Sequence, residues 1–281
     1  MLPKILDHAK MHNIRPNKSL GQNFILDINF CKSFILHEKI SDKIVLEIGP
    51  GLGTLTRAIL SYEPFKLVCL EKDAKCIPIL KEIALVHPNL EFEEADVMKY
   101  LMHYKQNPLN FKFDSIISNL PYNIASRVLV DLIEIIVLGA SIKSITIMVQ
   151  KEVADRILGL PNSKNYGLLT VLVNSVCNVT RIVNVGPQMF YPVPNVTSTV
   201  INLTPKNDII DSKLFNQIKI LAKNGFNQRR KILKSSMKDF IKFIPENLWL
   251  LRAENLTGED YKNIAINSLN IIQFDKNLNS M

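Results

Sequence analysis

The chain has 281 residues, 47% hydrophobic and 21% charged, which suits one large and one smaller packed domain and excludes a disordered polypeptide. No apolar run approaches the roughly 20 residues of a membrane helix, and the opening Met-Leu-Pro-Lys-Ile-Leu-Asp-His has no signal-peptide core, so a cytoplasmic protein without a membrane partner is expected. The net charge of +8 is concentrated in residues 1–22 and 205–245, where four and ten basic groups face one and three acids; this points to a polyanionic partner, by default nucleic acid, or else to solvated surface.

Residues 1–18 are expected to be a loose basic arm. Gly21 marks a loop in Lys18-Ser19-Leu20-Gly21-Gln22-Asn23-Phe24, and Asp27 is placed to cap a following helix. Next, Ile44-Val45-Leu46-Glu47-Ile48 reads as a buried strand running into Gly49, Gly51 and Gly53, with a helix from Thr54. This is the strand, glycine turn and helix of a nucleotide-binding α/β unit. Thr54 stands where a dinucleotide fingerprint needs its third glycine, and G-x-G-x-G after the acid Glu47 is similar to the S-adenosylmethionine loop of class I methyltransferases. By itself the motif also suits a plain tight turn.

Lys66 to Leu70 forms a second strand ending in Glu71, twenty residues past Gly51, where an acid can accept from both ribose hydroxyls of an adenosine. Asp73 better suits a helix cap. A third strand at Leu90 to Glu93 leads to Asp96, placed to meet an adenine amino group at the third strand tip, or else structural. A fourth, Phe113 to Ser118, ends in Asn119-Leu120-Pro121-Tyr122. Proline keeps Leu120 extended, which can turn its carbonyl outward beside the Asn119 side chain. Two such acceptors fit an exocyclic amine. Adenine N6 is a poor nucleophile because its lone pair is delocalised; accepting both its N–H groups draws the nitrogen toward tetrahedral geometry, while Tyr122 stacks on the ring.

Further on, residues 144–150 read as a strand, 166–173 as a packed helix, and Val179 to Val185 with Thr197 to Leu203 as an antiparallel closing pair. Between these last two lies a proline-rich loop. It carries Phe190, either a second stacking ring or a hydrophobic plug. After about residue 206 the pattern is helical. Arg230, Lys234 and Lys238 stand four residues apart, as on one helix face suited to phosphates. Cys31, Cys69, Cys76 and Cys177 form no C-x-x-C pair and read as packed thiols.

Gly21-Gln22-Asn23-Phe24, Glu47 to Gly53, Asn119 to Tyr122 and Phe226-Asn227-Gln228-Arg229-Arg230-Lys231 occur in an order that resembles the bacterial small-subunit (16S) ribosomal RNA adenine N6,N6-dimethyltransferases, over about residues 15–270. The resemblance implies an α/β, class I (Rossmann-like) S-adenosylmethionine-dependent methyltransferase sheet with a small C-terminal helical domain: arm 1–22, catalytic domain 23–205, helical RNA-binding domain 206–281. It implies S-adenosylmethionine as co-substrate and no metal. The activity would be transfer of methyl groups to N6 of two adjacent adenosines in a hairpin loop near the 3′ end of 16S RNA, within the immature small subunit, by a monomer. Carried over, the cofactor residues are Asn23, Ile25, Gly49, Gly51, Glu71, Asp96 and Asn119; the target-base residues are Asn119, Leu120, Pro121, Tyr122 and Phe190; the RNA contacts are Arg229, Arg230, Lys231 and Lys234. Ser118 and Tyr191 depart from the family's usual smaller residues. The alternatives are a methylase of large-subunit RNA, a DNA adenine methyltransferase, for which Leu120 is atypical, and an assembly factor acting by binding alone.

Overall fold

Apolar runs of β-branched residues, buried on both faces, form the central parallel strands. A computed structural model describes residues 2–278. Its strands are β1 (Phe24–Ile25), β2 (Ile44–Ile48), β3 (Lys66–Glu71), β4 (Leu90–Glu94), β5 (Ser115–Asn119), β6 (Ser144–Gln150), β7 (Cys177–Val185), β8 (Phe190–Tyr191) and β9 (Ser198–Pro205). Seven of them make one sheet in the order β4-β3-β2-β5-β6-β9-β7. The pairs β3–β4, β2–β3, β2–β5 and β5–β6 are parallel, and β9 runs antiparallel to β6. Strand order reverses between β2 and β5, so a crevice opens at their carboxyl ends, where open α/β sheets bind ligands.

The helices are α1 (Ile5–Met11), α2 (Ile28–Ile35), α3 (Thr54–Leu60), α4 (Ile77–Val86), α5 (Val97–Gln106), α6 (Ala125–Val137), α7 (Lys151–Ile157), α8 (Leu168–Val176), α9 (Ser212–Asn227), α10 (Leu233–Ser236) and α11 (Gly258–Leu278). Asp27 caps α2 by accepting from the Asn29 and Phe30 amides, and Asp211 caps α9 through the Leu214 amide. The four cysteines are buried free thiols. Among the described residues no helix is long and apolar enough to cross a membrane.

Contacts divide the chain into two compact units, residues 1–154 with 179–205 and residues 155–178 with 206–281. One division falls between residues 205 and 206, and the segment 155–178, α8 included, groups with the helical unit instead of the sheet. Residues 279–281, the end of the expected helical domain, lie outside the described residues.

The expected loose arm is in fact held. Ile5, Ala9 and Ile14 join the core of the sheet unit, and His8 is fully buried. Arg57 donates to His8 Nδ1 at 2.6 Å, and a guanidinium can only donate. The proton of His8 is therefore on Nε2, which donates to Glu82 at 2.8 Å; His12 meets the other oxygen of Glu82 at 2.7 Å. The two histidines and Glu82 lie close enough to suit a metal. Yet a metal-bound imidazole uses its second nitrogen as a donor, and here that nitrogen accepts, so the group is a clasp of hydrogen bonds. Glu82→Ala is expected to speed hydrogen exchange at the amides of residues 8–14 by about ten-fold while β2 and β5 amides keep their protection; unchanged exchange in α1 would show that the clasp does not hold the helix.

Candidate active site

The loop after β2 needs glycine at three positions, by backbone conformation at all of them and by close contact at two. Gly49, Gly51 and Gly53 have φ of +69°, +55° and +73°, a region that L side chains rarely adopt. A Cβ on Gly51 would lie 2.7 Å from the Phe24 ring, and one on Gly53 would lie 2.5 Å from Ile83. At Gly49 a Cβ would meet nothing within 4 Å, because the backbone there faces an open cavity. Phe24 of the Gly-Gln-Asn-Phe segment is thus the ring against which the glycine loop closes.

The cavity lies along the carboxyl ends of β2, β3 and β5. Its lining includes the loop from Ser19 to Ile25, the glycine turn, Glu71, Asp96, and Asn119 through Ile124. Glu71 ends β3 and is only 5% exposed; its Oε2 accepts from the Gly51 amide at 2.9 Å and its Oε1 from the Asp73 amide at 2.7 Å. Burial raises its pKa against those two amide bonds. Each oxygen keeps a second lone pair for a ligand hydroxyl. Asp96 caps α5 through the Met98 amide at 2.9 Å and pairs with Lys72 at 2.8 Å, and the lysine lowers its pKa. Asp73 caps the short turn before α4 and holds Gln22 Nε2 at 2.9 Å. Thr54 Oγ1, at the start of α3, lines the cavity and is buried without a partner among the described residues. An open glycine backbone, an acid with spare lone pairs and an unpaired hydroxyl fit the polar edge of an adenosyl ligand.

Asn119 Nδ2 donates to the Asn23 carbonyl at 3.2 Å, which fixes the amide and leaves Oδ1 as its accepting end. The Pro121 carbonyl accepts the amides of Ile124 and Ala125, so capping of α6 falls to Pro121 and not to Leu120. Ser118, the departure noted in the sequence, donates to the Ile48 carbonyl at 2.6 Å and ties the tip of β5 to that of β2. Tyr122 lines the same cavity. Gly21, at φ +65°, packs beside Asn123 and Pro121. These contacts of Gln22, Asn23 and Phe24 were not evident from sequence; the only signal was the motif itself.

Phe190 is not brought to the cavity. It sits in β8, which pairs antiparallel with β1 through Ile25↔Phe190 and Phe24↔Tyr191. That pairing turns Phe190 into the core, 3% exposed, and leaves Tyr191 52% exposed. The basic run departs from expectation as well. Helix α9 ends at Asn227, Ile232 is extended and bridges to Arg252, and α10 is a single turn, so Arg230, Lys234 and Lys238 do not share one helix face. Arg230, Lys231, Lys234 and Lys238 are nonetheless exposed. Arg229 is engaged within its own unit, bonded to Glu254 at 2.6 Å and to the carbonyls of Ser163 and Lys164.

The profile of the ribosomal RNA adenine dimethylase family matches residues 13–257. The chain belongs to that family. The ribosomal RNA small subunit methyltransferase A of Ehrlichia canis is 36% identical over 96% of this chain and 99% of its own length. The protein of that name from Rhizobium johnstonii is 38% identical over 84% and 86%. Among solved structures, a dimethyladenosine transferase from Plasmodium falciparum superposes with a TM-score of 0.71 at 26% identity, covering 90% of this chain and 98% of that one. The 23S rRNA methyltransferase ErmE shares the fold, with a TM-score of 0.61 at 19% identity over 87% and 99%. A dimethylase of this family is an S-adenosylmethionine-dependent methyltransferase, and the class I sheet described above is its scaffold.

Glu47 lies beneath the site at 1% exposure, and burial pushes its pKa up to about 7. A raised folded value means the fold favours the protonated acid: the stabilisation is complete below the ordinary carboxylate value and is lost as pH rises to about 7. Relative to Glu47→Gln, the cofactor-free protein is expected to lose about 3 kcal/mol between pH 4.5 and 8 in urea denaturation. Parallel pH profiles for the two proteins would overturn this.

Proposed function

We propose that this chain transfers methyl groups from S-adenosylmethionine to N6 of two adjacent adenosines in a hairpin loop near the 3′ end of 16S RNA, on the immature small subunit. The observation that carries the reading is the Asn119 amide, oriented by the Asn23 carbonyl and set beside Tyr122 on the rim of the cofactor cavity. S-adenosylmethionine supplies an electrophilic methyl group. Glu71 and the glycine turn hold the adenosyl part, with Asp96 at the next strand tip. Asn119 Oδ1 and the Leu120 carbonyl accept the two N6–H groups of the target. This concentrates the nitrogen lone pair toward the methyl carbon, so that the N–C bond would form as the S–C bond breaks, with S-adenosylhomocysteine leaving as the neutral thioether and the proton on the alkylated nitrogen passing afterward to water. Tyr122 stacks on the base, which must swing out of its hairpin to arrive. Exposed Arg230, Lys231, Lys234 and Lys238 supply phosphate contacts, whereas the internal bonds of Arg229 favour a structural part for it. The protein acts in the cytoplasm as a monomer.

The test is transfer of labelled methyl groups to small subunits that lack the modification, with large subunits and duplex DNA alongside. Label in dimethyladenosine of the small-subunit RNA is expected. Label confined to large-subunit RNA would replace this substrate with the rival one, and tight binding to immature subunits without label would leave an assembly factor.

A further inference from the structure

Tyr122 does not end freely in the cavity. Its hydroxyl lies 2.6 Å from Ser198 Oγ, and Ser198 is fully buried. Ser198 opens β9 opposite Gln150, the last residue of β6, so it stands at the same carboxyl rim of the sheet as Asn119. The next residue is fixed too: Thr199 is buried and donates to the Asn184 side chain at 2.9 Å. The serine hydroxyl is therefore carried on backbone that cannot drift. A tyrosine ring is set by two torsions, the first aiming its long axis and the second turning the ring about that axis. The phenolic oxygen lies on that axis, so its hydrogen bond to a fixed strand holds the first torsion and with it the place where the ring stands. Stacking helps only when the ring stands over the position in which Asn119 needs the base.

We propose that Ser198 is a positioning residue for methyl transfer, holding the Tyr122 ring at the place where it presents the target adenine to Asn119. The proposal rests on the stacking role assigned to Tyr122 above. It assigns to the hydroxyl pair a part in the geometry of the reaction beyond satisfying the buried serine.

The experiment measures kcat and KM on unmodified small subunits for Ser198→Ala, Tyr122→Phe and the double variant, with S-adenosylmethionine affinity by calorimetry. Each single variant is expected to lower kcat about ten-fold, leave cofactor affinity within two-fold, and gain no further loss in the double variant, because both remove one bond. Ser198→Thr, which keeps the hydroxyl, is expected to restore most of kcat. Wild-type kcat in Ser198→Ala, or losses that multiply in the double variant, would overturn the proposal. If Ser198→Ala fails to bind cofactor and so has not folded, Tyr122→Phe removes the same bond from the other side and decides alone. Tyr122→Ala separates the two levels: full activity there would remove the stacking role itself, whereas a large loss there beside an unchanged Ser198→Ala would remove only the part given to the serine.

Discussion

Asn119→Ala is expected to lower kcat by about 10³-fold or more while binding to immature small subunits stays within a few-fold. The amide does two things that no neighbour repeats. Its nitrogen is anchored on the Asn23 carbonyl, and its oxygen is left as the accepting end. Removing one preorganised group from a site that works by hydrogen bonding alone costs on the order of 10²–10³ in rate, and here the second acceptor, the Leu120 carbonyl, then works without a partner. Asn119→Asp separates the two duties: it keeps an acceptor but sets a carboxylate oxygen against the Asn23 carbonyl, and it is expected to be nearly as damaged. The measurement is single-turnover transfer of labelled methyl groups, beside sedimentation of the protein with subunits. Equal loss of binding and transfer would mean that the amide supports the loop and not the chemistry.

Glu71→Ala is expected to weaken S-adenosylmethionine binding by about 100-fold or more, read by calorimetry. A charged acceptor contributes about 1.5–3 kcal/mol per hydrogen bond, and Glu71 has one lone pair on each oxygen left for a ligand after serving Gly51 and Asp73. Its loss also strands those two amides, so the glycine loop loses the brace that shapes it. Asp96→Ala is expected to cost only a few-fold, since that acid is partly exposed and shares its charge with Lys72. A change below three-fold in Glu71→Ala, or a larger one in Asp96→Ala, would reverse the roles given to the two strand tips.

The parts of this protein that local sequence could disclose are those that local geometry decides. Three glycines at alternate positions announced a tight turn between a strand and a helix, and the turn is there, with all three at positive φ. Asp27 and Asp73 announced caps and accept from the amides they precede. Asn119 through Tyr122 announced the end of a buried strand, and the strand ends there. What escaped depends on partners far away in the chain. The polar face of α1 gave no hint that His8 would be buried against Glu82, 74 positions on. Four-residue spacing from Arg230 to Lys238 mimics a helix, but the bridge from Ile232 to Arg252 holds the backbone extended in its midst. Phe190 reads as a loop aromatic until β1 is known to pair with it and turn its ring inward.

The short ribbon of β1 and β8 also sets an order in time. Every residue lining the cavity lies between Ser19 and Ile124, yet the strand that carries its amino-terminal wall is paired with Phe190 and Tyr191. During synthesis, a nascent chain that has emerged as far as Ile124 already contains the whole lining but lacks the partner for Phe24 and Ile25. Contacts this distant in sequence form late, because the intervening loop must be closed first. The growing polypeptide therefore completes its cofactor pocket only after nearly all of the first unit has left the ribosome.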